Sequence, residues 1–102
     1  MIRRGEYTIP EATIHEAMAA GATHYDSREY DWYFTVLRPH FRRRWLLWGP
    51  REFKCWESLR YYATPGYGAG GIVWVAPYGW EQLIGERTPP RGAMIALEGA
   101  AQ

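Results

Sequence analysis

The chain has 102 residues, enough for one domain with a modest core, and its net charge of +1 provides no global field to steer a polyanion toward it. The only cysteine, Cys55, excludes an internal disulfide and fits a reducing compartment. Arg3 and Arg4 are followed by no apolar run, and no stretch approaches the roughly 20 apolar residues of a membrane helix, so a cytoplasmic protein with no membrane partner is expected.

Residues 1–7 read as a short lead-in. "TIPEATIHEAMAAG" (8–21) reads as a helix. Thr8 is placed to N-cap it, Glu11 to close a capping box, and Gly21 to stop it. Thr13, Ile14, Ala17 and Met18 make its apolar stripe. "ATHYD" (22–26) reads as a short strand and "SRE" as a turn. "YDWYFTVL" (30–37) is the clearest strand, apolar on both faces and so central. Arg38, Pro39 and His40 should break it. "RRWLLW" (43–48) then reads as its antiparallel partner, ended by Gly49 and Pro50.

"PREFKCWESLRYYA" (50–63) fits two readings. Pro50 at a helix start, Glu52, and Phe53, Trp56 and Leu59 at threes favour a helix, with a strand over 53–57 as the competitor. "TPGYGAGG" is a loop, "IVWVA" (72–76) a short buried strand, and "YGWEQLIGE" holds a helical turn. From Thr88 on the chain reads as a loosely attached tail, with Met94, Ile95 and Leu97 able to dock it. The expected fold is α+β: a small antiparallel sheet of three or four strands, with the N-terminal helix and a second helix packed on one face. Residues 1–87 form the domain and 88–102 the tail.

Aromatic residues make up 17% of the chain, more large rings than a domain of this size can bury. Eleven of the twelve basic residues are arginine, and Trp, Tyr and Arg are the residues enriched at binding hot spots. Both features meet in "HFRRRWLLWGP" (40–50). Arg42, Arg43 and Arg44 with Trp45 and Trp48 suit phosphates and stacked bases, or an acidic protein groove. An ordinary strand with a wet basic end has the same composition. Tyr67, among glycines at a loop tip, is a further contact candidate.

Catalytic and metal motifs are incomplete. His15 and Glu16 begin a zinc-protease helix motif, but Ala19 stands where its second histidine belongs. His15, His24, His40 and Cys55 show no ligand spacing. Cys55 has no glycine-flanked elbow, and nothing in the sequence brings a histidine and an acid to it. Asp26 and Asp31 flank a turn and suit turn chemistry. "PGYGAGG" precedes a strand, whereas a phosphate-cradling loop follows one. No enzyme, cofactor or metal is expected.

"AGATHYD" (20–26), followed by the aromatics of "WYF" and "RRWLLW", resembles small uncharacterised proteins of tailed phages and prophages that carry a Gly-Ala-Thr-His-Tyr segment. The resemblance spans residues 20–48 and implies a phage or mobile-element origin. Small phage proteins without enzymatic motifs often act by binding, as anti-CRISPR proteins do, which is an analogy of setting. The expected function is a non-enzymatic protein that occludes a host protein or nucleoprotein surface through Arg42, Arg43, Arg44, Trp45, Trp48 and Tyr67. The alternatives are direct nucleic-acid binding by the same stretch and a structural homo-oligomer.

Overall fold

The computed structural model describes residues 2–4, 7–28, 32–43, 48–66 and 71–98. Strands β1 (Ile2–Arg4) and β2 (Tyr7–Ile9) pair with each other and lead into helix α1 (Glu11–Ala19). The remaining strands are β3 (His24–Asp26), β4 (Tyr33–Arg43), β5 (Arg51–Pro65), β6 (Ile72–Val75), β7 (Glu81–Leu83) and β8 (Met94–Ala96). These six form one antiparallel sheet in the order β6-β5-β4-β3-β8, with β7 beside β5 on the same side as β6.

This corrects the expected fold class. The sheet has six strands, and among the described residues no second α-helix packs on it. Residues 50–63 belong to the 15-residue β5, and the remaining helical pieces are two 3-10 turns, Gly85–Arg87 and Arg91–Ala93. The partner of the central strand is β5, not a strand over 43–48. Residues 44–47 of that expected strand lie outside the described residues. The competing strand reading for 53–57 is the one that holds.

The misreading has a physical origin in a β-bulge. The β4–β5 register shifts between His40 and Phe41, so that His40 pairs Cys55 and Phe41 pairs Phe53. Lys54 is left over as the extra residue. It places Phe53 and Trp56, three apart, on the same side of the strand, and their rings meet at 5.7 Å. A bulge thus imitates helical spacing. Beyond it the strand alternates normally: Leu59 and Tyr61 are buried, while Arg60 is exposed.

Pro39 does not break β4, and the ladder explains why. The Leu37 carbonyl accepts from the Thr23 N–H, so odd-numbered residues of β4 direct their backbone groups toward the β3 side. At Pro39 that side has no paired strand among the described residues, and the missing donor costs the ladder nothing.

The core lies between α1 and one face of the sheet. Phe34 and Val36 of β4 stand opposite Tyr61 and Leu59 of β5, and Ile9, Ile14, Ala17 and Trp74 close over them. Phe34, Val36 and Ile9 are fully buried there, and Leu37 is fully buried on the opposite face, each contributing about 1.5–3 kcal/mol on transfer from water. Thr8 does not cap α1. The N-cap is Pro10 with no side-chain bond, and the Thr8 carbonyl instead accepts from the Trp74 indole at 3.2 Å. At the other end, Gly21 has φ +105°, and the Gly21 and Ala22 N–H groups return to the Met18 and Ala17 carbonyls. That is a Schellman closure, which a side chain at position 21 would strain.

The chain after Thr88 joins the sheet. β8 pairs with β3, Leu97 and Ala93 are buried, and Ile95 stays exposed. β6, expected to be buried, is an edge strand in which only Trp74 is covered. The segment expected to hold a helical turn supplies β7 and the first 3-10 turn. No helix among the described residues is long and apolar enough to cross a membrane.

Two predictions follow from this core. Phe34→Ala should lose about 3–5 kcal/mol in urea unfolding, because it empties a fully buried site, whereas Phe41→Ala, at a partly exposed ring, should lose far less. Equal losses would contradict this placement of the core. The second concerns Tyr61, whose phenol is pushed above its ordinary value of 10.0 by burial and then by the charge of Glu16. The folded state therefore holds the proton longer than the unfolded chain does. Stability from this group is complete below about pH 10 and falls as pH rises through the raised value. Tyr61→Phe should flatten that alkaline decline, read from urea midpoints below and above pH 10.

Candidate functional site

The β4–β5 ladder outruns the rest of the sheet. β3 pairs with β4 at Val36 and Leu37, and β7 pairs with β5 no nearer the tip than Trp56. Beyond these points, residues 39–43 and 51–55 pair only with each other among the described residues. They form a two-stranded arm. The molecule measures 53 × 25 × 24 Å, and its radius of gyration of 15.0 Å exceeds the roughly 13 Å of a compact chain of this length.

Charge is concentrated on the arm. Residues 39–43 and 51–55 contain Arg42, Arg43, Arg51 and Lys54 against Glu52 alone, a net +3 in a chain of net +1, so all other residues together carry −2. The near-neutral total conceals a strongly polarised molecule.

Register divides the arm's side chains between two faces. Arg42, opposite Glu52, shares the helix side with His40 and Cys55. Phe41, Arg43, Arg51, Phe53 and Trp56 share the other, which is open. On this open face the rings run in series: Phe41 to Phe53 at 6.1 Å, Phe53 to Trp56 at 5.7 Å, and Trp56 to His24 at 5.3 Å. The Arg51 guanidinium lies 5.0 Å from the Phe41 ring centre, within cation–π range. Phe41 and Phe53 are 39% and 52% exposed, and an apolar hollow of about 260 Å³ opens between them, Pro39 and Trp56.

Of the residues singled out by sequence, Arg42 and Arg43 lie on the arm, on opposite faces, and both are exposed. Arg43 donates to the Gly49 carbonyl at 3.3 Å. Trp48 is 68% exposed near the tip. Arg44, Trp45 and Tyr67 lie outside the described residues. Sequence reasoning missed Phe41, Arg51, Phe53 and Trp56. They would have emerged from pairing 33–43 with 51–65, which sets Arg51 opposite Arg43, Phe53 opposite Phe41 and Trp56 opposite Pro39.

At the base of the arm, on the helix side, Arg38 joins three elements. Its Nε donates to Glu57 Oε1 at 2.9 Å, its Nη1 donates to the Ala20 carbonyl at the end of α1 at 3.0 Å, and its guanidinium covers Trp80 at 4.0 Å. A cation at a helix C-terminus satisfies a carbonyl that the helix leaves unpaired.

The ladder also gathers Cys55, His40 and Glu57, which no spacing in the sequence connects. Cys55 stands opposite His40, and His40 Nδ1 is 3.7 Å from Glu57 Oε1. That separation is too long for a hydrogen bond, and Glu57 is held by Arg38 instead. The carboxylate therefore does not orient the imidazole as a nucleophile–base–acid relay requires. Asp26 accepts from the Arg28 backbone N–H at 3.0 Å and from its guanidinium at 3.1 and 2.9 Å, which is turn chemistry. Among the described residues, no group of three or more His, Cys, Asp or Glu is placed to hold a metal.

The chain matches no known protein family, no curated protein and no solved structure.

Because the arm rings are solvent-exposed and the core lies elsewhere, Arg43→Ala with Arg51→Ala should leave the urea midpoint nearly unchanged. A large loss of stability would assign these arginines to the architecture of the strand.

Proposed function

We propose that this is a nucleic-acid-binding protein that lays the open face of its β4–β5 arm along a single strand. The observation that carries the reading is the joint placement of Phe41, Phe53 and Trp56 with Arg43 and Arg51 on one face of an arm that holds a net +3. Single-strand binders combine such a cationic track with rings on which bases stack, at about 1–3 kcal/mol per base. The neutral total charge, which argued against nucleic acid at the level of composition, does not apply to an arm this polarised.

Tryptophan fluorescence during titration with single-stranded oligonucleotides, at low and moderate salt, tests the proposal. Binding should weaken with salt by about 0.7 logarithmic units per logarithmic unit of salt for each cation engaged. Arg43→Ala with Arg51→Ala should therefore reduce the slope by about 1.4. Phe53→Ala should weaken binding by about 1–3 kcal/mol at unchanged stability. Binding that ignores salt, or survives the double variant, would rule the arm out as the strand's contact.

A second reading draws on a different observation. The outer edges of both arm strands carry no third strand among the described residues. Unpaired edges favour augmentation by a partner's strand. The phage resemblance of residues 20–48 supplies a setting for it, in which the arm occludes a host nucleoprotein such as a CRISPR effector. A partner captured without nucleic acid, and lost when a proline is placed at position 43, whose backbone N–H points to the outer edge, would favour this reading.

A further inference from the structure

The open face of the sheet carries two adjoining hollows away from the arm. One, of about 300 Å³, is lined by Asp26, Arg28, Thr35, Ser58, Arg60 and Arg87 among others, the Asp26 carboxylate being taken up by Arg28. Its neighbour, of about 330 Å³, is lined by Ser58, Arg60 and Arg87 again, with Tyr62, Tyr78 and Glu81. Arg60 and Arg87 thus line both hollows. We propose that this is a phosphate-group site, with the phosphoryl oxygens held between Arg60 and Arg87, and Arg28 facing them from the β3 end.

Three features support the assignment. The guanidiniums come from three separate elements: the turn after β3, the middle of β5 and the first 3-10 turn. Convergence of this kind is not produced by a run of charge along one strand. Two of the three are also set in place. Arg60 donates through Nε to Thr35 Oγ1 at 3.3 Å, and its guanidinium lies 4.5 Å from the Tyr33 ring centre, over a threonine that is itself 5% exposed. Arg28 is anchored by its two-pronged pair with Asp26, whose side chain is 6% exposed. Groups fixed in advance lose little freedom on binding. Finally, the planar guanidinium fork matches a phosphate, and the Ser58 and Thr35 hydroxyls line the same hollow.

Arg87 pairs with Glu81, and both side chains are more than half exposed. Exposed pairs are weak, so an incoming dianion displaces the carboxylate. The phosphate belongs either to a free phosphorylated compound or to a strand continuing from the arm. Arg60 lies on the same face as Trp56, four residues along β5, or roughly 13 Å away.

Calorimetric titration of the full chain with inorganic pyrophosphate tests the site without relying on the arm. Saturable binding should weaken at least about tenfold in Arg60→Gln and tighten severalfold in Glu81→Gln, with Arg43→Ala plus Arg51→Ala leaving it unchanged. Glu81→Gln alters an exposed side chain, so the test survives if Arg60→Gln fails to fold. A parallel titration with strands of about four and about twelve nucleotides separates the two sources. If Arg60→Gln weakens only the longer strand, the phosphate is the strand's. If pyrophosphate binds and no such length effect is seen, it belongs to a free compound. Pyrophosphate binding indifferent to both Arg60→Gln and Glu81→Gln would overturn the site. So would the absence of both pyrophosphate binding and the length effect.

Discussion

The architecture depends on one continuous antiparallel ladder. Every residue of the 11-residue β4 pairs with β5, through a single register shift between His40 and Phe41. In the body this ladder is flanked by β3 on one side and by β6 and β7 on the other, and α1 covers one face. Toward the tip it has no flanking strand among the described residues. The same two strands therefore serve as core in one half and as an exposed ribbon in the other. Their composition changes accordingly, from Phe34, Val36, Leu59 and Tyr61 to Phe41, Arg43, Arg51 and Phe53.

The bulge and Arg38 mark where the two halves meet. The bulge carries the extra residue, Lys54, and sets which arm side chains join the open face. Arg38 ties the end of α1 to Glu57 on β5 at the same level. The arm's direction is thereby fixed relative to the core. On the open face, the rings of the arm and the arginines of the body share one surface, which α1 leaves uncovered. The proposed functions are uses of that surface, with a net positive charge on the arm and the arginines Arg28, Arg60 and Arg87 on the body.

Much of this was legible in the sequence, and what was not has identifiable causes. The helix stripe of Thr13, Ile14, Ala17 and Met18, and the stop at Gly21, follow from periodicity and from backbone conformation. The central strand followed from alternation in "YFTVL". The extent of β4 did not, because Pro39 reads as a breaker unless the direction of its absent N–H is known, and that depends on where β3 ends. β5 was hidden by the bulge, which set Phe53 and Trp56 at a helical spacing. Once residues 50–63 were read as a helix, the pairing that places Arg51 and Phe53 beside Phe41 and Arg43 was out of reach. The composition pointed to the right neighbourhood through Arg42, Arg43 and Trp48, but it contained no register, and register decides which of them share a face.

The most direct test of the central claim is amide chemical-shift mapping of isotopically labelled protein during titration with a short single-stranded oligonucleotide. The account predicts that the largest shifts fall at Phe41, Arg43, Arg51, Phe53 and Trp56, with α1 unaffected. Shifts that leave the arm unmoved and gather on α1 or β8 would contradict it.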